Sequence, residues 1–202
     1  MLTSCASTAV DDPLADHSFI TQQPCAAPCW YGLELDKSSK DDVYTTLQRL
    51  PFIDQNTIKE WNTGWLNDET AVEVHFSCLH PNVRSCGEAL VSQGKLKQLH
   101  MFIGYQLTFE TVVQELGIPG YVSDVPNNAE VGGCEVSLYW PILWIEVASN
   151  SKQDQSCVKN GIGAGVDPKS TVTAIVYQVP EGFEPTAKLG PSFAPWPGFV
   201  KP

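Results

Sequence analysis

The chain has 202 residues, 43% hydrophobic and 17% charged, which is long and apolar enough for a sizeable core and argues against gross disorder. It carries 12 Lys and Arg against 23 Asp and Glu, a formal net charge of −11. An acidic surface of that kind repels phosphate backbones and anionic lipid headgroups, so neither nucleic acid binding nor electrostatic membrane adsorption is expected. No stretch approaches the roughly 20 apolar residues of a spanning helix, and the longest apolar segment, YWPILWIEV at 139–147, is interrupted by Pro141.

The first segment, 1–24, reads as a tether. Leu2-Thr3-Ser4-Cys5 resembles the bacterial lipobox: a Leu, two small residues that let a peptidase reach the backbone, and a cysteine whose thiol accepts the lipid. The expectation is that the start of the true precursor lies upstream and that Cys5 anchors the mature chain to a bacterial membrane. The polar, acidic spacer that follows suits a flexible link.

Seven cysteines are present, and assigning Cys5 to lipidation leaves six. Cys86 and Cys157 fall in polar loops, and Cys25 and Cys29 in the proline-flanked QQPCAAPCW, which points to an oxidising, extracytoplasmic compartment. Six cysteines allow several connectivities. Proximity favours Cys25–Cys29, Cys78–Cys86 and Cys134–Cys157.

The folded domain is expected over 25–180. SSKDDVYTTLQRL predicts a helix capped by Ser39, with Asp41 and Asp42 in the first turn, an apolar stripe of Val43, Leu47 and Leu50, and a stop at Pro51. AVEVHFSC predicts a half-buried strand with Val72, Val74, Phe76 and Cys78 inward and His75 on the wet face. KLKQLHMFIG (95–104) predicts a second strand.

TFETVVQELG predicts a second helix, capped by Thr108 and ended by Gly117, with Phe109, Val112, Val113 and Leu116 on one face. CEVSLYWPILWIEVAS predicts a hairpin or bent strand around Pro141, and STVTAIVYQVP a last strand. The proline-rich tail, 181–202, must be extended, and its aromatic residues suggest that it lies against the domain. Short helices on an antiparallel sheet define an α+β class, and segments 30–104 and 105–180 share a helix-then-strands pattern suggestive of a tandem repeat.

The segment PCWYGLELDKSSKDDVYTTLQRLPFI (28–53) resembles one found in uncharacterised lipoproteins of Chloroflexi-type bacteria, through Pro28, Cys29, Trp30, Gly32, Ser39 and Leu47. Leu35-Asp36 stands where that family usually has Pro-Gly. The resemblance implies location rather than chemistry. The overall layout is more distantly similar to the beta-lactamase-inhibitor-protein-like fold, also used by small outer-membrane assembly lipoproteins, which implies a non-catalytic protein binder.

No catalytic signature stands out. HFSCLH brings His75, Cys78 and His80 close in sequence, but strand alternation puts His75 and Cys78 on opposite faces, so no metal site is expected there. His17 falls in the tether and His100 on a strand. Cys25 and Cys29 have no neighbouring cation to stabilise a thiolate and read as a staple rather than a redox pair. There is no nucleophile elbow, and the glycines of NGIGAGVD precede no helix, so no cofactor is expected.

Six tryptophans are more suggestive. If exposed, Trp61, Trp65, Trp140 and Trp144 could form a protein- or sugar-binding surface. The expected function is therefore a non-enzymatic, extracytoplasmic, lipid-anchored domain that binds a protein or envelope component. A carbohydrate-binding module is the alternative, and an extracellular hydrolase a second.

Overall fold

The computed structural model describes residues 18–64, 68–79, 86–103, 107–126, 134–141, 145–151, 166–179 and 193–199. In chain order the elements are α1 (Ser18–Thr21), β1 (Cys29–Trp30), β2 (Leu33–Glu34), α2 (Lys40–Arg49), β3 (Ile53–Asn62), β4 (Val72–Cys78), β5 (Gly87–Ser92) and β6 (Lys95–Phe102). They continue as α3 (Phe109–Leu116), β7 (Tyr121–Pro126), β8 (Cys134–Trp140), β9 (Ile145–Ser151), β10 (Ala174–Gln178) and β11 (Phe193–Pro195). The architecture is α+β, dominated by a nine-stranded sheet in the order β11-β7-β8-β9-β10-β6-β5-β4-β3 whose ladders are all antiparallel.

Helix α2 forms where its local signals place it. Ser39 and Asp42 make a reciprocal capping box, and Val43, Leu47 and Leu50 are buried. Helix α3 starts at the Thr108 cap and ends at Gly117, whose φ of 80° is a conformation that an L side chain resists. Asp36 also takes a left-handed φ of 61°, which the short Asp side chain tolerates.

One face of the sheet supplies the core. Val74, Phe76, Ala89, Leu99, Met101, Leu138, Val147, Ile175 and Tyr177 pack into a single cluster with Val43 and Leu47 of α2 and Phe109 and Val112 of α3. Gly87 sits in this layer because nothing larger fits: a Cβ there would lie 2.6 Å from Met101 Sδ and 2.7 Å from both the His100 carbonyl and Phe76 Cζ. Strands β5 and β6 turn at Gln93-Gly94, both at positive φ (52° and 70°), as a two-residue hairpin requires. Asp68 clamps that turn by accepting from the Ser92 hydroxyl and the Gln93 N–H.

Several expectations change. Strands β3, β5, β7 and β11 carry no clear alternation and were not legible from the sequence. β3 is a polar edge strand with a register shift between Asp54 and Lys59, and edge strands are kept polar to block unwanted pairing. The folded part also begins before residue 25. Phe19 of α1 is buried, with its ring 5.6 Å from that of Trp30 and 4.9 Å from that of Tyr177. Phe19 thus fills a core site, while residues 21–24 are exposed or half-buried.

Disulfides join Cys25 to Cys29 and Cys78 to Cys86, with Cα atoms 5.6 and 5.0 Å apart. Cys134 opens β8, while Cys5 and Cys157 lie outside the described residues, as do His17 and His80.

Candidate functional site

Directly opposed residues of an antiparallel ladder project from the same face. The register therefore defines a row across the outer face, away from the helices: Lys59, His75, Glu88, His100 and Val176. A neighbouring row contains Trp61 and Glu73. Toward β7 the first row continues through Glu146 to Tyr139 and Tyr121, both half-buried tyrosines, while the next row, from Phe102, holds Ala174, Ala148, Ser137 and Ser123, small and buried.

Four side chains of the first two rows are linked. His75 Nε2 is 3.2 Å from Glu73 Oε2, and His75 Nδ1 is 3.5 Å from Glu88 Oε2. The other Glu88 oxygen, Oε1, is 3.0 Å from His100 Nδ1. Glu88 thus bridges two imidazoles. The hydrogen bond from His100 is the main cause that lowers the Glu88 pKa, against the burial that raises it, and the charges of His100 and His75 act in the same sense. Each of the four side chains keeps between 22% and 32% of its surface, so the row is solvent-accessible but not fully hydrated.

Aromatic rings close both ends. Trp61 lies against His75 with ring centroids 4.3 Å apart, and Phe102 against His100 at 4.4 Å. Trp61 is itself 58% exposed. One ligand atom each from Glu73, His75 and Glu88 can be chosen so that all lie within 4.8 Å of one another. Such a set of one nitrogen and two carboxylate oxygens is capable of holding a divalent cation.

The aromatic residues singled out by sequence do not share one surface. Trp140 is only 4% exposed and its indole N–H donates to the Gly117 carbonyl, so it belongs to the core. Its large apolar ring is worth more buried than exposed, and burial required that the N–H find a partner. Trp65 and Trp144 lie outside the described residues.

Cys78, the sequence neighbour of His75, is buried on the inner face and bonded to Cys86. The partners of His75 are instead carboxylates, Glu73 two residues back and Glu88 across the ladder. The alternation of AVEVHFSC already put Glu73 and His75 on one face. Glu88 and His100 could be added only once the pairing of β5 was known.

A separate shallow cleft of about 280 Å³ lies beside α2, lined by polar residues including Lys37, Asp42, Thr46 and Arg49. Its cations are already engaged, Lys37 by Glu34 and Arg49 by the Thr45 carbonyl and the Thr46 hydroxyl. No family model matches this chain, and neither does any curated protein or solved structure.

Proposed function

We propose that the chain is an exported, lipid-anchored, non-catalytic binding domain whose ligand surface is the outer face of the sheet. The carrying observation is the asymmetry of that sheet. One face is filled by helices, while the other presents an exposed tryptophan beside a row of half-buried polar side chains. Exposed aromatic rings ringed by polar groups are the usual anchors of protein interfaces. A protein or other envelope component is the proposed partner.

The anchor reading rests on the Leu2–Cys5 lipobox and on the two disulfides, which belong to an oxidising compartment. The tandem repeat is part of the same proposal. Each of α2-β3-β4-β5-β6 and α3-β7-β8-β9-β10 is a helix followed by a four-strand meander, and the two meet through their last strands, β6 against β10. That order is what a pseudo-two-fold duplication would produce, and it supports the likeness to the inhibitor-protein-like and assembly-lipoprotein layout.

Two measurements test the proposal. Intact mass of the protein extracted from its native membrane should give a diacylated Cys5 at the N-terminus, and an unmodified Cys5 behind Met1 would overturn the anchor. Crosslinking from position 61 in intact cells should give a discrete protein adduct. Adducts to glycan alone would move the reading to the carbohydrate-binding alternative, which the exposed Trp61 ring also favours. Absence of any adduct would sink the outer face as the ligand surface.

A further inference from the structure

The geometry points to a site for a divalent transition-metal ion on the outer face: we propose that Glu73, His75 and Glu88 bind zinc, with His100 as the positioning residue that orients Glu88.

The donors suit the ion. Two carboxylates and a neutral imidazole carry a charge of −2, which a divalent cation balances. An imidazole nitrogen in the set favours first-row transition metals over calcium or magnesium, which prefer oxygen alone. Ligands around tetrahedral zinc sit roughly 2.0–2.1 Å from the metal and therefore roughly 3.3 Å from one another. The carboxylate oxygens of Glu73 and Glu88 already lie 3.2 and 3.5 Å from the His75 ring nitrogens. One nitrogen must serve both, so one carboxylate has to close in from no more than 4.8 Å, which a rotamer adjustment supplies.

The surroundings are those of a held site rather than a chance contact. All three donors stand on β4 and β5, each paired on both sides within the sheet, and their shared ladder fixes His75 opposite Glu88. Glu88 divides its oxygens: Oε2 faces His75, while Oε1 is held by His100 Nδ1 at 3.0 Å. A ligating carboxylate whose second oxygen is fixed by an outer hydrogen bond is a recurrent feature of metal sites. Trp61 packs on the ring of His75 and restricts its rotation. The cross-strand neighbour Lys59 is exposed, so its ammonium can stay in water. Solvent access at the row leaves a coordination position for water or for a partner's side chain.

The test is calorimetric titration of the full, untagged, disulfide-bonded chain with zinc chloride, alongside its thermal midpoint with and without zinc. Binding of one zinc ion per chain and a zinc-dependent rise in midpoint are expected. Glu73→Gln, Glu88→Gln and His75→Ala should each weaken binding by more than the about 10–100-fold expected for His100→Ala, the loss typical of an outer-shell partner. The two near-isosteric Gln variants keep the test valid if His75→Ala does not fold. Absence of zinc-dependent heat in the wild type would overturn the site. So would equal binding by folded Glu73→Gln and Glu88→Gln, because the zinc would then be held elsewhere, for instance at His17 or His80.

Discussion

Trp61 lies over His75, ring centroids 4.3 Å apart and planes inclined by 36°. The indole is mostly in water, so its contribution is the stacking contact rather than area removed from solvent. Aromatic pairs of this kind contribute about 0.5–1.5 kcal/mol beyond burial. A double-mutant cycle of Trp61→Ala and His75→Ala, read by urea unfolding, should give a coupling energy in that range. Additive effects would mean that the two rings are merely adjacent.

Gly87 is the most tightly enclosed of the described glycines. A methyl group there meets the His100 backbone carbonyl as well as two side chains, and the carbonyl cannot move without disturbing the β5–β6 ladder. Gly87→Ala should destabilise the domain by about 1–3 kcal/mol, the range for overpacking. Because His100 carries that carbonyl, the substitution should also perturb the Glu88–His100 contact, visible in the imidazole resonances of His100. An unchanged unfolding midpoint would contradict the packing argument.

The Cys78–Cys86 bridge joins the end of β4 to the start of β5 across a separation of 8 residues. On a chain-entropy basis, closing so short a loop stabilises by roughly 2–3 kcal/mol. A Cys78→Ala/Cys86→Ala double variant should lose about that much in equilibrium unfolding. The loss should vanish when the wild type is measured fully reduced, which separates the crosslink from the packing of the sulfurs.

Asp68 holds the Gln93-Gly94 hairpin. Its carboxylate accepts from the Ser92 and Thr70 hydroxyls and from the Gln93 and Thr70 N–H groups, and these bonds, the Ser92 hydroxyl first, push its pKa well below the usual carboxylate value. A folded pKa below the unfolded one means stability that is fully present above the ordinary value of about 3.9. It is lost as pH falls from there toward the folded pKa. Wild type should therefore be more stable than Asp68→Asn at neutral pH, and the gap should narrow below about pH 4. Thermal midpoints of both proteins between neutral pH and strong acid measure this, and a gap that persists in acid would remove Asp68 as its cause.

What could be read locally was read from the sequence. Helix α2 follows from Ser39, Asp42 and the Val43-Leu47-Leu50 stripe, α3 from Thr108 and Gly117, and β4 from strict alternation, because capping and periodicity are encoded within a few residues. The pairings Cys25–Cys29 and Cys78–Cys86 were equally local. Strands β3 and β7 were not legible, since IDQNTIKEWN and YVSDVP lack alternation and become strands only through their neighbours in the sheet.

The candidate site belongs to that second kind. His75 could be placed on a wet face, and Glu73 beside it, from one strand alone. That Glu88 and His100 join them depends on the β4–β5 and β5–β6 registers, which link residues 13 and 12 positions apart through backbone hydrogen bonds. The fate of the tryptophans was likewise tertiary: Trp61 and Trp140 both lie on strands, and only the packing decides that one faces water and the other the core. Local pattern determined α2, α3 and β4, while register and packing decided the polar strands and which side chains meet, because a one-residue slip in any ladder would carry every one of them to the other face.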